Sequence, residues 1–573
     1  MLEQGSRLPP NSINADAAAI DSGLIEIPVP APTEAQANRA AVARATGVLA
    51  LGNIASRVLG MAREVTLTNL FGASRATDAF YVAIIIPKTI YDLLIAGHVN
   101  SAIIPVLSEV AANDAATGEK ELWRVVSILS TLITAILALL VVMLMIFAPS
   151  IVLLVSGGAG VDKQALATDL LRLTAPALIG LGLFSTFSGA LYALRSFTLP
   201  ALAGAIFNGM IVLSTVILAP PLTVMVTFDG AHAAWTAARP ESGIYAAAFG
   251  WLIGATVQML SQLPGLRGAK LRVSFNWRHP AVRRIARLYA PVMLSMLLDT
   301  VVRTFSYNLA SQTGERSITY MNLATTLIQF PQGLVATAIG IAILPTLSRQ
   351  ALNDTPAFRE TLGLGLRLAI TLILPAAVGL FALATPIVML IFEHGAFTGV
   401  DTGMTALALR LYLFGLPFAA IDLMLMYAFY ARQDTLTPTW IGMFSLALYM
   451  VVAITLAPTA GVFSLMIADS AKHIIHAVIA GYMLIRRMGG LGDQRLIGAF
   501  VRTGVAAGLM GVVTAAVVPP LARIVGAATL INEIALVGMA GGISVAAYLA
   551  LAWLFRVEEL RWLWGLMRTR VGR

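Results

Sequence analysis

Three observations predict an all-α polytopic membrane protein with about fourteen transmembrane helices, arranged as two pseudo-symmetric six-helix halves plus a C-terminal helix pair. The first is composition: hydrophobic residues make up 58% of the 573 residues and charged ones only 12%, against about 25% charged in soluble proteins. Too little charge remains to cover a water-facing surface. The second is spacing, because beyond about residue 38 apolar runs follow one another with short polar breaks, each near the roughly 20 residues that cross a hydrocarbon core. The third is an internal repeat. Tyr192-Ala-Leu-Arg195-Ser-Phe-Thr-Leu-Pro200 recurs as Tyr430-Ala-Arg432-Gln-Asp-Thr-Leu-Thr-Pro438, and Ile104-Pro105-Val-Leu-Ser108 recurs as Leu344-Pro345-Thr-Leu-Ser348. The offsets of 238 and 240 residues agree, so two homologous halves are implied.

Residues 1–38 carry Pro9, Pro10, Pro28, Pro30 and Pro32 among Ala, Asn and acidic residues, with no apolar run long enough for a signal-peptide core. They read as a disordered cytoplasmic tail. The first half is expected over 39–270, with spans centred on 42–70, 77–112, 122–148, 165–195, 199–219 and 243–263. The second is expected over 271–495, with spans at 282–312, 316–348, 362–392, 402–431, 438–457 and 461–486. Residues 496–573 hold two further spans, 498–522 and 532–555, and a basic tail. Six spans return the chain to its starting side, so the halves share one topology and are related by an axis along the membrane normal.

Orientation follows from the basic residues, which cytoplasmic loops retain. With the N-terminus inside, the inner connections collect Lys120, Arg124, Arg195, the run from Arg267 to Arg287, Arg349, Arg359, Arg367, Arg432, Arg486, Arg487, Arg495 and Arg502. The outer ones hold little beyond Arg75, Lys163, Arg239, Arg316 and Arg523. Both termini are therefore expected in the cytoplasm. The net charge of +9 belongs mainly to this pattern, and nucleic-acid binding is a poor reading of it. The chain has no Cys, which excludes disulfides, thiolate catalysis and Cys-ligated metals.

Charges inside apolar spans are the informative anomaly, since each costs at least about 2.5–3.5 kcal/mol at the bilayer centre. Arg57, Arg63, Asp78, Lys88 and Asp92 fall in the first half, and Asp299, Arg303 and Asp422 in the second. Those near span ends have a bland reading as snorkelling or paired side chains. Asp299 and Arg303, four residues apart, suit an intrahelical ion pair; alternatively Arg303 faces a cavity as an anion ligand and Asp299 binds a cation or proton. Asp422 has no basic residue within a helical turn and is the better candidate for an ion or proton site. Pro87, Gly97 and Pro105, and then Pro331, Gly333, Gly340 and Pro345, interrupt corresponding helices. Broken helices in matching positions point to a transport site.

Enzyme signatures are weak. Gly363-x-Gly365 lacks the third glycine of a dinucleotide loop, Gly180-Leu-Gly182 lies within an apolar span, and there is no Walker A sequence. His473 and His476 lack sequence neighbours that would complete a metal set, and Glu393-His394 is expected in a loop. No cofactor and no metal are expected.

Ser56-Arg57-Val-Leu-Gly60-Met-Ala-Arg63, Phe71-Gly72-Ala73 and Ala76-Thr-Asp78-Ala-Phe80 resemble the signature of the MurJ/MviN lipid II flippases, members of the multidrug/oligosaccharidyl-lipid/polysaccharide exporter superfamily. Phe330-Pro331-x-Gly333, Phe392-Glu-His-Gly395-Ala-Phe397-Thr398 and Phe429-Tyr430 through Pro438 are similar to it as well. The resemblance implies a flippase of the bacterial cytoplasmic membrane, not an enzyme, that moves the undecaprenyl-diphosphate-linked peptidoglycan precursor by alternating access. It further implies a cationic cavity for the head group, a groove beside the last two helices for the lipid tail, and partners among membrane lipids and the peptidoglycan synthesis machinery. Arg57, Arg63 and Asp78 match positions the family uses in that cavity. Departures are clear: Tyr91-Asp92 stands where many members carry two Arg, the nearby acidic position is Ala96, and Thr325-Thr326 replaces an Asp-Arg pair. Lys88 and Arg303 are expected to supply part of the lost charge. Arg57 and Arg63 differ by roughly 120° around an ideal helix, so a shared cavity must be wide or the helix bent at Gly60. Driving ions, through Asp299 or Asp422, are expected to be protons or sodium, or the membrane potential itself. Three other readings stand beside this one: a flippase for another polyprenyl-linked saccharide, a small-molecule exporter, and a non-transporting scaffold.

Overall fold

Apolar sequence sets the helices, and short turns marked by Pro, Gly or Asp end them. The computed structural model describes residues 34–92, 103–114, 120–220, 223–229, 232–238, 240–491, 494–526 and 529–561. The first series is α1 (Glu34–Phe71), α2 (Arg75–Asp92), α3 (Ile104–Asp114), α4 (Lys120–Ile146), α5 (Ala148–Ser156), α6 (Val161–Thr174), α7 (Ala177–Ala193) and α8 (Thr198–Leu218). An antiparallel hairpin, β1 (Thr223–Asp229) and β2 (His232–Ala238), precedes α9 (Ile244–Leu260). The second series is α10 (Pro280–Gln312), α11 (Ser317–Pro331), α12 (Thr337–Asn353), α13 (Thr355–Ala382), α14 (Ala384–Phe392), α15 (Gly399–Leu413), α16 (Leu416–Ala431), α17 (Leu436–Ala460) and α18 (Phe463–Met488). α19 (Leu496–Val525) and α20 (Leu530–Leu554) follow, with α19 packed on α13. Residues 48–573 form one compact unit and residues 1–47 another; all side-chain geometry below belongs to the first.

The fold is helical and membrane-spanning as expected, with the hairpin as a local addition, and two expectations shift. Most of the tail expected over 1–38 lies outside the described residues, but the backbone is already helical from Glu34, where Ala-rich sequence favours helix. Eight described helices are long and apolar enough to cross a membrane, or ten counting two bent pairs, against the expected fourteen. α1, α2, α10, α11 and α12 are not among those ten, and α1, α2 and α10 carry Arg57, Arg63, Asp78, Lys88, Asp92, Asp299 and Arg303. Pro331 ends α11 at a π-helical turn, Gln332–Ala336, before α12, so the expected break is present there. Pro87 lies inside α2, while Ala96 and Gly97 lie outside the described residues.

The repeat is visible in the backbone. α6 and α7 form a pair bent by 41°, and 238 residues further on α15 and α16 form another bent by 41°. The duplicated Tyr-to-Pro motif is the corner that follows each pair. Arg195 (φ 58°) and Gln433 (φ 59°) both take the left-handed conformation. The next amide then reaches back five residues: Ser196 donates to the Leu191 carbonyl at 2.8 Å and Asp434 to that of Phe429 at 3.0 Å, the closing bond of a Schellman turn. Asp434 also accepts from the Thr437 amide at 3.0 Å and pairs with Arg487. Partial burial raises the pKa of this carboxyl, but those bonds outweigh it and hold the pKa below the ordinary carboxylate range.

At the opposite end of the bundle the two series lock together. The Ala396 amide donates to the Asn69 carbonyl at 2.9 Å, and the loops approach so closely at two glycines, both at φ 64°, that a Cβ on Gly395 would lie 2.2 Å from that same oxygen and one on Gly72 2.4 Å from the Ala396 carbonyl oxygen. Asp78 of α2 is fully buried. Its carboxylate pairs with Lys163 Nζ of α6 at 3.0 Å and accepts from the Thr319 amide at 2.8 Å and its hydroxyl at 2.6 Å. Thr319 is the third residue of α11, whose own N-cap, Arg316, offers no side-chain cap. A carboxylate from another helix thus satisfies orphan donors and places negative charge at the positive end of α11. Lys163→Met is expected to cost about 3–5 kcal/mol, the penalty for stranding one member of a buried pair, read as a lower thermal-unfolding midpoint in detergent. Adding Asp78→Asn is expected to restore part of that loss, since a neutral amide still accepts from Thr319.

Candidate functional site

Helices α1, α2, α10 and α11, with Tyr412 of α15, Tyr449 of α17 and Asp469 of α18, line a cavity of about 430 Å³. Of the residues singled out in the sequence, Arg57, Arg63, Lys88 and Arg303 border it. α1 runs unbroken through Gly60, which also lines the wall, so Arg57 and Arg63 meet one cavity that wraps around the helix. Asp78 is absent from the wall, being occupied by Lys163 and Thr319. Asp422 lies outside it on α16, and the side chain of Asp299 lies outside the described residues.

The four cations are held differently. Arg63 is tied on two sides, to Glu64 at 2.5 Å and to Asn208 Oδ1 of α8 at 3.0 Å, while Glu64 also accepts from the Tyr81 hydroxyl. Lys88 and Arg303 share one carboxylate: Asp92 Oδ2 is 3.1 Å from each. This carries α2 across to α10 and gives Arg303 a tertiary partner. Both side chains remain about two-fifths exposed, at 41% and 43%, so each can still reach a ligand. Arg57 donates to the Gln329 carbonyl of α11 at 3.2 Å and pairs with no carboxylate among the described residues. Its remaining guanidinium donors point to an anion site.

Thr325 and Thr326 line the wall with hydroxyls bonded back to Met321 and Asn322 carbonyls at 2.8 and 2.9 Å. Tyr307 donates to Asn322 at 2.8 Å, and Ser306 and Tyr449 share a 2.6 Å hydrogen bond. Aromatic faces with hydroxyl and amide edges suit a saccharide as well as a phosphate.

Sequence reasoning missed a second polar group. Asp469, Lys472, His473 and His476 follow an i, i+3, i+4, i+7 stripe along α18, a legible pattern in an otherwise apolar helix. Asp469 borders the cavity, pairs with Lys472 at 2.6 Å and lies 3.8 Å from His473. His476 Nδ1 is 2.5 Å from Asp422, so the acid that lacks a basic neighbour on its own helix finds one on α18. His473 thereby has an acidic neighbour one turn back on its own helix, and His476 has a partner on α16 that its local sequence does not reveal. Among the described residues no three His, Asp or Glu side chains converge to hold a metal ion. His394, in the loop after α14, lies 3.4 Å from Glu533 of α20, not engaged with Glu393.

Comparisons with known proteins identify the family and the fold. A family model described as lipid II flippase MurJ matches residues 67–523. The lipid II flippase MurJ of Burkholderia cenocepacia is 33% identical over 396 residues, covering 68% of this chain and 73% of its own length. The probable lipid II flippase MurJ of Vibrio cholerae is 30% identical over 433 residues, covering 74% and 79%. Among solved structures, a lipid II flippase MurJ in an inward closed conformation superposes with a TM-score of 0.69 at 22% identity, over 88% of this chain and 98% of that one. An inward-facing multidrug resistance MATE family transporter of the MOP superfamily gives 0.61 at 15% identity, over 76% and 95%; these two likenesses speak for the fold. The chain belongs to the lipid II flippase MurJ family, multi-pass membrane transporters rather than enzymes.

Proposed function

We propose that this chain carries lipid II across the bacterial cytoplasmic membrane by alternating access, with the diphosphate and adjoining sugar in the central cavity and the polyprenyl tail left in lipid. The observation that carries this reading is Arg57, a cavity guanidinium with donors to spare and no carboxylate partner among the described residues. Arg57 binds the diphosphate first. Lys88 and Arg303 follow, exchanging Asp92 for phosphate oxygens, while Arg63 stays fixed by Glu64 and Asn208 and contributes field. At about 430 Å³ the cavity sits at the small end of ligand pockets, about 300–1,000 Å³. It therefore represents a contracted state, and the head group enters only after the series separate. Asp78 acts by holding one end shut, through Lys163 and Thr319.

The proposed organisation keeps halves at 39–270 and 271–495, with 496–573 forming the tail groove, and both termini cytoplasmic by the distribution of basic loops. Coupling runs through Asp422 with His476: a proton bound there changes the charge carried through the membrane field, worth about 2.3 kcal/mol per charge per 100 mV. Peptidoglycan-synthesising enzymes supply and consume the substrate.

Rescue of a flippase-depleted bacterium is the direct test. The wild-type chain is expected to restore growth, Arg57→Ala to abolish it, and Arg57→Lys to restore it partly, because a point charge loses the bidentate fit. Normal membrane expression without rescue by the wild type would overturn the proposal. In vesicles, Asp422→Asn is expected to flatten the dependence of transport on a proton gradient while leaving substrate binding intact; wild-type transport indifferent to proton, sodium and electrical gradients would sink the coupling. Reporter fusions after residue 555 and at the N-terminus are expected to report the cytoplasm, and a periplasmic signal from either reverses the topology.

A further inference from the structure

The segment that joins α9 to α10 carries a pattern that topology alone does not use. From Lys270 to Arg278 it alternates without a fault: Lys270, Arg272, Ser274, Asn276 and Arg278 fall between Leu271, Val273, Phe275 and Trp277. The backbone is neither helix nor paired strand, and extended chain places alternate residues on opposite faces. All four apolar side chains are exposed, Val273 at 81% and Phe275 at 63%.

This strap is fastened to α4 by its backbone. The Arg272 amide donates to Ser127 Oγ at 3.0 Å and the Ser274 amide to Thr131 Oγ1 at 3.1 Å. The fit is one of pitch, since four helical residues rise about 6 Å and two extended residues about 6.6 Å. Each hydroxyl also donates to a carbonyl of its own helix, Ser127 to Trp123 at 2.7 Å and Thr131 to Ser127 at 2.8 Å. Ser127 stands seven residues beyond Lys120, the start of α4, about 10 Å along its axis. Backbone beside lipid persists only where its polar groups are bonded, and the two hydroxyls satisfy the amides of Arg272 and Ser274. Between the strap and Thr134, Ala135 and Ala138 lies a largely apolar groove of about 460 Å³, with Arg272 on its wall.

Seven Lys and Arg lie between Arg267 and Arg287 with no acidic residue among them. Only Arg284 of these has a carboxylate partner among the described residues, Glu109 at 2.7 Å. We propose that the strap is a lipid-binding wedge that holds an anionic phospholipid of the cytoplasmic leaflet: the phosphate on Lys270, Arg272 and Arg278, one acyl chain in the groove against Val273 and Phe275. Apolar side chains exposed beside unpaired cations match a ligand with both a phosphate and a chain, and a free phosphate would leave the groove empty.

Native mass spectrometry of the full chain with phosphatidylglycerol and phosphatidylcholine of matched acyl chains tests this independently of transport. The wild type is expected to retain phosphatidylglycerol about tenfold better, and the combined K270Q, R272Q and R278Q variant to lose that preference, each basic group near a membrane surface being worth about fivefold. In the unaltered strap, brominated phosphatidylglycerol is expected to quench more tryptophan emission than in Trp277→Phe, and millimolar glycerol phosphate to leave this unchanged. Equal retention of both lipids by the wild type, a preference that survives the triple variant, quenching unaffected by Trp277→Phe, or displacement by glycerol phosphate would each overturn the proposal.

Discussion

One buried carboxylate organises much of this molecule. Asp78 belongs to α2, neutralises Lys163 of α6 and terminates α11 by accepting from Thr319, so a single side chain joins three helices from both series. In a medium where an uncompensated charge is costly, Lys163 and the exposed amides of α11 each require it. The nearby close approaches of Gly72 to Ala396 and of Gly395 to Asn69 work by shape, whereas the Asp78 contact works by charge. The arrangement at that end is therefore discrete: the series are either joined there, with Asp78, Lys163 and Thr319 paired, or apart, with water admitted to replace the lost bonds.

The cavity end is built on a different principle. There the charges are shared or only partly satisfied, with Asp92 serving Lys88 and Arg303 together and Arg57 resting on a carbonyl. An arriving anion has something to replace and does not need to break a closed network. In the proposed function, stability thus collects at the Asp78 end and ligand binding at the Arg57 end, and the same apolar helices accommodate both because their charged residues are segregated along the axis.

Much of this was legible in the sequence for physical reasons. Scarcity of charge, spacing of apolar runs and the motif repeat identified the fold, and the motifs around Arg57 and Asp78 identified the family. Partners across the fold were harder to read. Asp92 meeting Arg303 joins residues 211 positions apart, and no local pattern encodes that choice; Asp78 reads like a cavity residue until Lys163, one of the few basic residues in the outer connections, is placed beside it. The stripe from Asp469 to His476 was readable by helical period, as was the hairpin from the β-branched run Thr223-Val-Met-Val-Thr-Phe228 between a Pro pair and Asp229-Gly230.

The matched left-handed corners at Arg195 and Gln433 have a consequence for how such a chain drifts. Only their backbone geometry is shared, since an arginine stands at one and a glutamine at the other. The left-handed state disfavours β-branched side chains but accepts Gly, Asn or a long flexible residue. What these two positions share is a torsion angle rather than a chemistry. The ancestry of a duplicated transporter can accordingly outlast its residue identities, stored as a pair of backbone conformations that both copies must keep in order to turn the chain back into the membrane.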